Sequence, residues 1–151
     1  MEATRDTQSA SLKGLALGFI GGFIATLIFH ELAFLVLNSV GLTNYALYSV
    51  AGVPPLGVPR IISLAFWGGV FGLFYPFLQT KLGRGLPFLI VGILFGAIVP
   101  TLCSWTIVNA IKGIPIGPNG GWAMPGMAEG PIVNGMWGLG TALFLALFNR
   151  Q

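Results

Sequence analysis

Charge is scarce in this sequence. Only 7% of the 151 residues are charged, whereas an average soluble domain has about 25%. Hydrophobic residues make up 55% of the chain, which also contains 23 glycines and 10 prolines. Such a chain does not cover itself with a surface that water tolerates, which excludes a soluble enzyme, a secreted disulfide scaffold and a disordered tail. The composition indicates an integral membrane protein, in which glycine and proline are common.

Residues that bind metals or carry catalysis are equally scarce. The chain has one cysteine, Cys103, and one histidine, His30. A single cysteine excludes an intrachain disulfide and a metal cluster of the CxxC type. His30 and Glu31 begin an HExxH motif, but Phe34 stands where the motif needs its second histidine. The sequence therefore predicts a protein that is not an enzyme. The few basic residues form no stripe, so nucleic-acid binding is not expected either.

Four apolar segments are long enough to cross a hydrocarbon core about 30 Å thick. They cover residues 14–37, 61–78, 86–107 and 132–148. Because a segment in lipid must satisfy its own backbone hydrogen bonds, all four are predicted to be helices. The expected fold class is all-α integral membrane, with one four-helix transmembrane domain at 14–149 after a tail at 1–13.

The basic residues predict the orientation of these spans. Five of the seven fall on one side of the predicted membrane, namely Arg5, Lys13, Lys81, Arg84 and Arg150. Only Arg60 and Lys112 fall on the other side. By the positive-inside rule, the tail and both termini are expected in the cytoplasm and the loops 38–60 and 108–131 outside.

An internal repeat emerges when the sequence is shifted by 70 residues. Trp67-Gly68 then coincides with Trp137-Gly138, and Gly22 coincides with Gly92. Each half is one helical hairpin, at about 15–78 and 85–148, and both hairpins start on the same side. The sequence predicts a parallel repeat, whose halves superpose by a rotation near 180° about the membrane normal.

Small residues recur every fourth position in the first and third spans. Positions 14, 18, 22, 26 and 30 read Gly, Gly, Gly, Thr and His, and positions 92, 96, 100 and 104 read Gly, Gly, Pro and Ser. A spacing of four places each set on one helical face, where small side chains let helix backbones approach closely. This pattern predicts a tight bundle, with the alternative that the faces line a narrow path.

The outer loops are long, rich in glycine and proline, and nearly free of charge. Loops of this kind are unusual as plain connections between helices. Two interpretations remain open. In the first, the loops form a lid or a docking surface for another subunit. In the second, they are a pair of re-entrant loops that line a pore. Irregular backbone is tolerated at membrane depth only where protein or water covers it.

Polar residues inside the spans provide the candidate site. Glu31 lies toward the outer boundary of the first span, and Arg60 opens the second span on the same side, so an ion pair between them is expected. The repeat places Pro100 and Thr101 where His30 and Glu31 stand in the first half. The candidate binding residues are His30, Glu31, Arg60, Pro100, Thr101 and Asn134.

No cofactor is predicted, with one alternative. The single histidine, His30, lies in an apolar span and could bind haem or chlorophyll through one ring nitrogen. Because the chain has no second histidine, coordination of a haem by two histidines of one chain is excluded.

Two segments carry a resemblance to known proteins. Residues 54–69 read PPLGVPRIISLAFWGG and residues 134–140 read NGMWGLG. These stretches resemble small four-helix inner-membrane proteins of proteobacteria, a group with no assigned activity, and the resemblance covers most of the four spans. It implies a bacterial inner membrane and assigns no catalytic or binding residue.

Three functions remain open at this point. The first is a non-enzymatic accessory or assembly subunit of a larger membrane complex, in contact with lipid and with a protein partner or further copies of itself. The second is a homo-oligomeric channel or proton-coupled transporter that uses Glu31 and re-entrant outer loops. The third is a tetrapyrrole-binding subunit that uses His30.

Overall fold

The computed structural model describes residues 10–118 and 121–149, which are mostly helical. Within them lie four helices that are long and apolar enough to cross a membrane: α1 (Leu12–Ser39), α2 (Arg60–Leu82), α3 (Leu86–Ile111) and α4 (Gly126–Phe148). The predicted helical fold with four helices of spanning length is confirmed. Most of the predicted cytoplasmic tail, with Arg5, lies outside the described residues, as does Arg150.

The helices extend further toward the loops 38–60 and 108–131 than the sequence predicted. The largest difference is in α4, which begins at Gly126 rather than near 132. Glu129 and Pro131 interrupt the apolar run there, so hydropathy alone places the start of the helix too late. The connections shorten accordingly to 40–59 and 112–125. We call the end with these two loops the outer end, and the end with the turn at 83–85 the inner end.

Three of the helices are irregular within their length. A π-helical turn occupies Thr26–His30 in α1, and another occupies Ser104–Val108 in α3. α2 consists of two helical segments, Arg60–Gly72 and Tyr75–Leu82. α3 runs through Pro100, which has no backbone N–H to donate within the helix, and its π-helical turn begins four residues later. Each π-helical turn inserts a residue and so changes which side chains face the bundle interior.

Glycines hold the helices of each hairpin close together. A Cβ atom built on Gly22 would lie 2.9 Å from the carbonyl carbon of Gly68 and 3.1 Å from the Cα of Gly72. In the second hairpin, a Cβ atom on Gly92 would lie 2.9 Å from the Cβ of Ala142. The two backbones of each hairpin therefore meet at the small-residue faces, as predicted for a tight bundle.

Large side chains fill the inner half of the bundle. Tyr75, Phe88, Trp137 and Leu145 are at most 2% exposed. The Tyr75 hydroxyl donates to the Gly92 carbonyl over 2.7 Å, and the Trp137 indole donates to the Gly22 carbonyl over 2.9 Å. These two hydrogen bonds join the first hairpin to the second.

The first outer loop folds back onto α1. It contains a short antiparallel hairpin, β1 (Gly52–Val53) with β2 (Val58–Pro59). The Asn38 side chain donates to the Tyr45 carbonyl over 2.8 Å, and the Tyr48 hydroxyl donates to the Leu27 carbonyl over 2.8 Å. Neither outer loop contains a helix in its described residues. Hydrogen bonds therefore hold the first loop against α1.

Candidate functional site

A cavity of about 110 Å³ lies among the outer halves of all four helices. The side chains that line it include a cation, a carboxylate, a histidine, amides and aromatic rings. They are His30 and Phe34 from α1, Tyr45 from the first loop, Arg60 and Leu64 from α2, Ser104, Trp105 and Asn109 from α3, and Glu129, Val133 and Asn134 from α4. We call this cavity the chamber.

The chamber adjoins a wider space above it and a narrower one below it. The upper space, the vestibule, measures about 320 Å³ and shares Tyr45, Arg60 and Glu129 with the chamber. The lower pocket measures about 40 Å³, shares His30 and Asn134, and ends at Trp137. From the start of α4 to Trp137 is eleven residues, or about 16 Å of helix. The three spaces thus extend from the outer end to about the midpoint of α4.

Arg60 lies at the outer start of α2 and stacks on an aromatic ring. Its guanidinium carbon is 4.5 Å from the centroid of the Tyr45 ring, a cation–π contact. The predicted ion pair with Glu31 does not form. Tyr45 lies between the two charged groups, because its ring faces Arg60 while its hydroxyl donates to Glu31 Oε1 over 3.3 Å.

Glu31 is buried and fastens the first outer loop. Its side chain is 1% exposed. Oε2 accepts a hydrogen bond from the Tyr48 backbone N–H over 2.7 Å, and Oε1 lies 3.3 Å from the Tyr45 hydroxyl and 3.4 Å from His30 Nδ1. Both carboxylate oxygens of Glu31 therefore have hydrogen-bond partners within the protein. Glu31 contacts His30 but is not one of the residues that line the chamber.

Tyr45 keeps its proton in this arrangement. Burial, and next the negative charge of Glu31, raise the pKa of Tyr45, while the positive charge of Arg60 acts in the opposite direction. A protonated hydroxyl is what the hydrogen bond to the Glu31 carboxylate requires. Tyr45 therefore connects the buried carboxylate to the cation that lines the chamber.

Two of the candidate residues in the second hairpin contact each other. Asn134 Nδ2 donates to Thr101 Oγ1 over 2.9 Å. Asn134 lines the chamber and Pro100 lines the lower pocket. Thr101 lines neither space and contacts Asn134. The structure therefore places His30, Arg60 and Asn134 around the chamber and Pro100 in the adjoining lower pocket. Glu31 contacts His30, and Thr101 contacts Asn134.

Sequence reasoning missed several residues of this space. Glu129 falls within the predicted outer loop 108–131, whereas in the structure it lies in the first turn of α4 and lines the chamber. The sequence feature that indicates Glu129 is a helical spacing, because Gly126, Glu129, Val133 and Trp137 lie on one face of α4 and that face is directed toward the cavity. Trp105 and Asn109 carried no comparable signal, because the π-helical turn at Ser104–Val108 shifts the facing side of α3.

The histidine offers one nitrogen to the chamber. His30 Nδ1 faces Glu31, and the ring packs edge-on against Phe34 at 5.1 Å. The part of the chain that the structure describes contains no group of three residues suited to hold a metal ion. The chamber is also small beside the 300–1,000 Å³ or so of ordinary ligand pockets, so the geometry gives a tetrapyrrole at His30 no support.

No protein-family model, curated protein or solved structure matches this chain. The resemblance to proteobacterial inner-membrane proteins therefore stays a prediction.

Proposed function

We propose that the chain is a multi-pass protein of a bacterial inner membrane, without enzymatic activity, that acts as a small accessory subunit of a larger membrane complex. The four apolar helices support the membrane location, and so do their exposed aliphatic side chains, such as Ile28, Leu94 and Leu147. The basic residues support cytoplasmic termini, because Lys13, Lys81 and Arg84 lie at the inner end.

The packing supports the parallel repeat as part of this proposal. Gly22 meets Gly68 and Gly72 in the first hairpin, and the positions 70 residues later, Gly92, Gly138 and Ala142, meet in the second. Residues that stand 70 positions apart in the sequence line the chamber and the lower pocket together. The pairs are His30 and Pro100, Phe34 and Ser104, Arg60 and Gly130, Leu64 and Asn134, and Trp67 and Trp137. A pseudo-two-fold axis through the chamber accounts for both observations.

The observation that carries the accessory role is an apolar surface at the outer end. It consists of Val50, Leu56, Ile116, Trp122 and Met124, which are 62–84% exposed although they lie outside the four spanning helices. Beside it, an apolar groove of about 380 Å³ runs between the first loop and α2. An apolar surface of this kind on loops is typical of a contact with another protein. We infer that the apolar outer segment of a larger membrane protein covers it.

A substitution in this surface tests the proposal. Leu56→Glu places a charge on a side chain that is 84% exposed, so the fold should persist while docking is lost. Tagged full-length protein purified gently from its native membrane is expected to carry a larger partner at fixed stoichiometry. Recovery of that partner should fall at least about tenfold with Leu56→Glu, as for a central interface residue.

Ala46→Glu is the matched control, because Ala46 is exposed on the same loop but is not part of the apolar surface. This variant should keep the partner. The accessory role is contradicted if the unsubstituted protein is recovered only as a free monomer or as a homo-oligomer, or if both variants keep the partner equally.

A second candidate function is an outward-open solute carrier. Two observations favour it. The lower pocket ends near the midpoint of α4, and both α1 and α3 contain π-helical turns beside these spaces. Carriers with parallel repeats bind their solutes at this depth, next to irregular helices. The carrier role would use the residues of the chamber rather than Glu31, which is held by the first loop. Solute flux into vesicles that contain only this chain separates it from the accessory role.

A further inference from the structure

Two groups of opposite charge line the chamber and the vestibule within electrostatic range of each other. Arg60 reaches these spaces from α2, and Glu129 reaches them from the first turn of α4. The structure forms no ion pair between them. A cation and a carboxylate that share one partly buried cavity without pairing are unusual, because each desolvated charge needs a partner.

Neither charge is committed to another part of the described chain. The Arg60 guanidinium stacks on Tyr45 but donates no hydrogen bond to any residue among 10–118 and 121–149. The Glu129 carboxylate accepts none from the same residues. Glu31 is different, since its oxygens are occupied by the first loop. Arg60 and Glu129 therefore keep their hydrogen-bonding capacity for a molecule inside the cavity.

The remaining walls fit a small polar molecule. The Asn109 and Asn134 amide nitrogens donate to protein oxygens, which leaves both amide oxygens as acceptors. The Ser104 hydroxyl has no hydrogen-bond partner in the described part of the chain. The Trp105 ring adds an aromatic face that attracts a cationic group.

We propose that the chamber and vestibule bind a small zwitterion, with its anionic group on Arg60 and its cationic group near Glu129 and the aromatic rings. A zwitterion compensates both charges at once. A simple anion would neutralise Arg60 but would meet repulsion from Glu129, and a simple cation would meet repulsion from Arg60. The volumes of about 110 and 320 Å³ admit a molecule the size of a small amino acid or a betaine.

The same pair of charges has two possible sources at this location. One is a free solute on the outer side, such as an amino acid. The other is the headgroup of phosphatidylethanolamine in the outer leaflet, which carries a phosphate and an ammonium group. The inference goes beyond the accessory role and does not depend on it, because the isolated chain suffices to test it.

Titration calorimetry on the full-length protein in detergent tests the proposal. The probes are glycine, γ-aminobutyrate, glycine betaine and glycerophosphoethanolamine, with acetate and methylamine as single-charge analogues. At least one zwitterion is expected to bind saturably and at least about tenfold more tightly than either analogue. A parallel experiment compares lipid retention in nanodiscs of phosphatidylethanolamine and of phosphatidylglycerol, and retention of the former alone identifies the headgroup as the source.

Variants connect the binding to the two charges. Arg60→Gln and Glu129→Gln are each expected to weaken the zwitterion at least about tenfold, because each removes one charged partner. Arg84→Gln, at the exposed inner turn, should leave binding unchanged. Circular dichroism checks that all three variants are folded. The proposal is overturned if no zwitterion binds the folded protein, or if acetate binds as tightly and Glu129→Gln strengthens that binding.

Discussion

Gly22→Ala is expected to lower the free energy of unfolding by at least about 2 kcal/mol. The added Cβ would lie 2.9 Å from the Gly68 carbonyl carbon and 3.1 Å from the Gly72 Cα. Both neighbours are backbone atoms, so the clash cannot be relieved by turning a side chain. α1 and α2 would have to move apart, and the loss of their close contact removes much of the packing that holds helices together in lipid.

Gly135→Ala on α4 is the matched control for this substitution. A Cβ there would lie 3.6 Å from the Ala97 Cβ and 3.7 Å from the nearest carbon of Ile93, which is ordinary contact. Alanine also has the higher helix propensity, so this variant should unfold at equal or greater denaturant. Unfolding in mixed micelles at increasing detergent denaturant, followed by circular dichroism, measures both. Equal stability of the two variants would contradict the close packing of α1 on α2.

Glu31→Gln is expected to destabilise the protein by at least about 2 kcal/mol, because the buried carboxylate accepts several hydrogen bonds at once. Glutamine retains one acceptor oxygen and turns a donor toward either the Tyr48 N–H or the Tyr45 hydroxyl. The attachment of the first outer loop should fail first. Hydrogen exchange at the backbone amides of 40–59 should therefore accelerate more than exchange in the inner halves of the helices.

Glu129→Gln supplies the same chemical change at a carboxylate that no described residue binds, and it should alter stability by less than about 0.5 kcal/mol. The comparison separates a structural carboxylate from one that is available to a ligand. If Glu31→Gln leaves both stability and loop exchange unchanged, Glu31 does not fasten the loop. Loss of proton-linked flux in that otherwise intact variant would instead assign Glu31 to transport.

The architecture could be predicted because it follows from solvation and from local spacing. A chain with 7% charged residues and four long apolar runs has few other folds available. The glycines at every fourth position of α1 predicted a close approach, and Gly22 does meet Gly68 and Gly72. These features depend on residues near one another in sequence, so a single sequence reveals them.

The site could be predicted only in part, because it depends on contacts distant in sequence. His30, Arg60, Pro100 and Asn134 are predicted from depth and from the repeat. The chamber is lined by His30, Arg60 and Asn134, and the adjoining lower pocket is lined by Pro100. The Glu31–Arg60 ion pair was wrong, since depth alone does not reveal that Tyr45 folds back between them. Hydropathy likewise gave no indication that α4 continues outward to include Glu129.

The proposals for this protein require that the polar cavity opens at the outer end and reaches Asn134. Thiol labelling of intact cells tests it most directly, in a Cys103→Ala background that removes the only native cysteine. A membrane-impermeant reagent added outside should modify the Asn134→Cys variant but not the Ala142→Cys variant, since Ala142 lies deeper on α4 and is fully buried. The account is contradicted if the Asn134→Cys variant, correctly folded, reacts only from the cytoplasmic side or no faster than the Ala142→Cys variant.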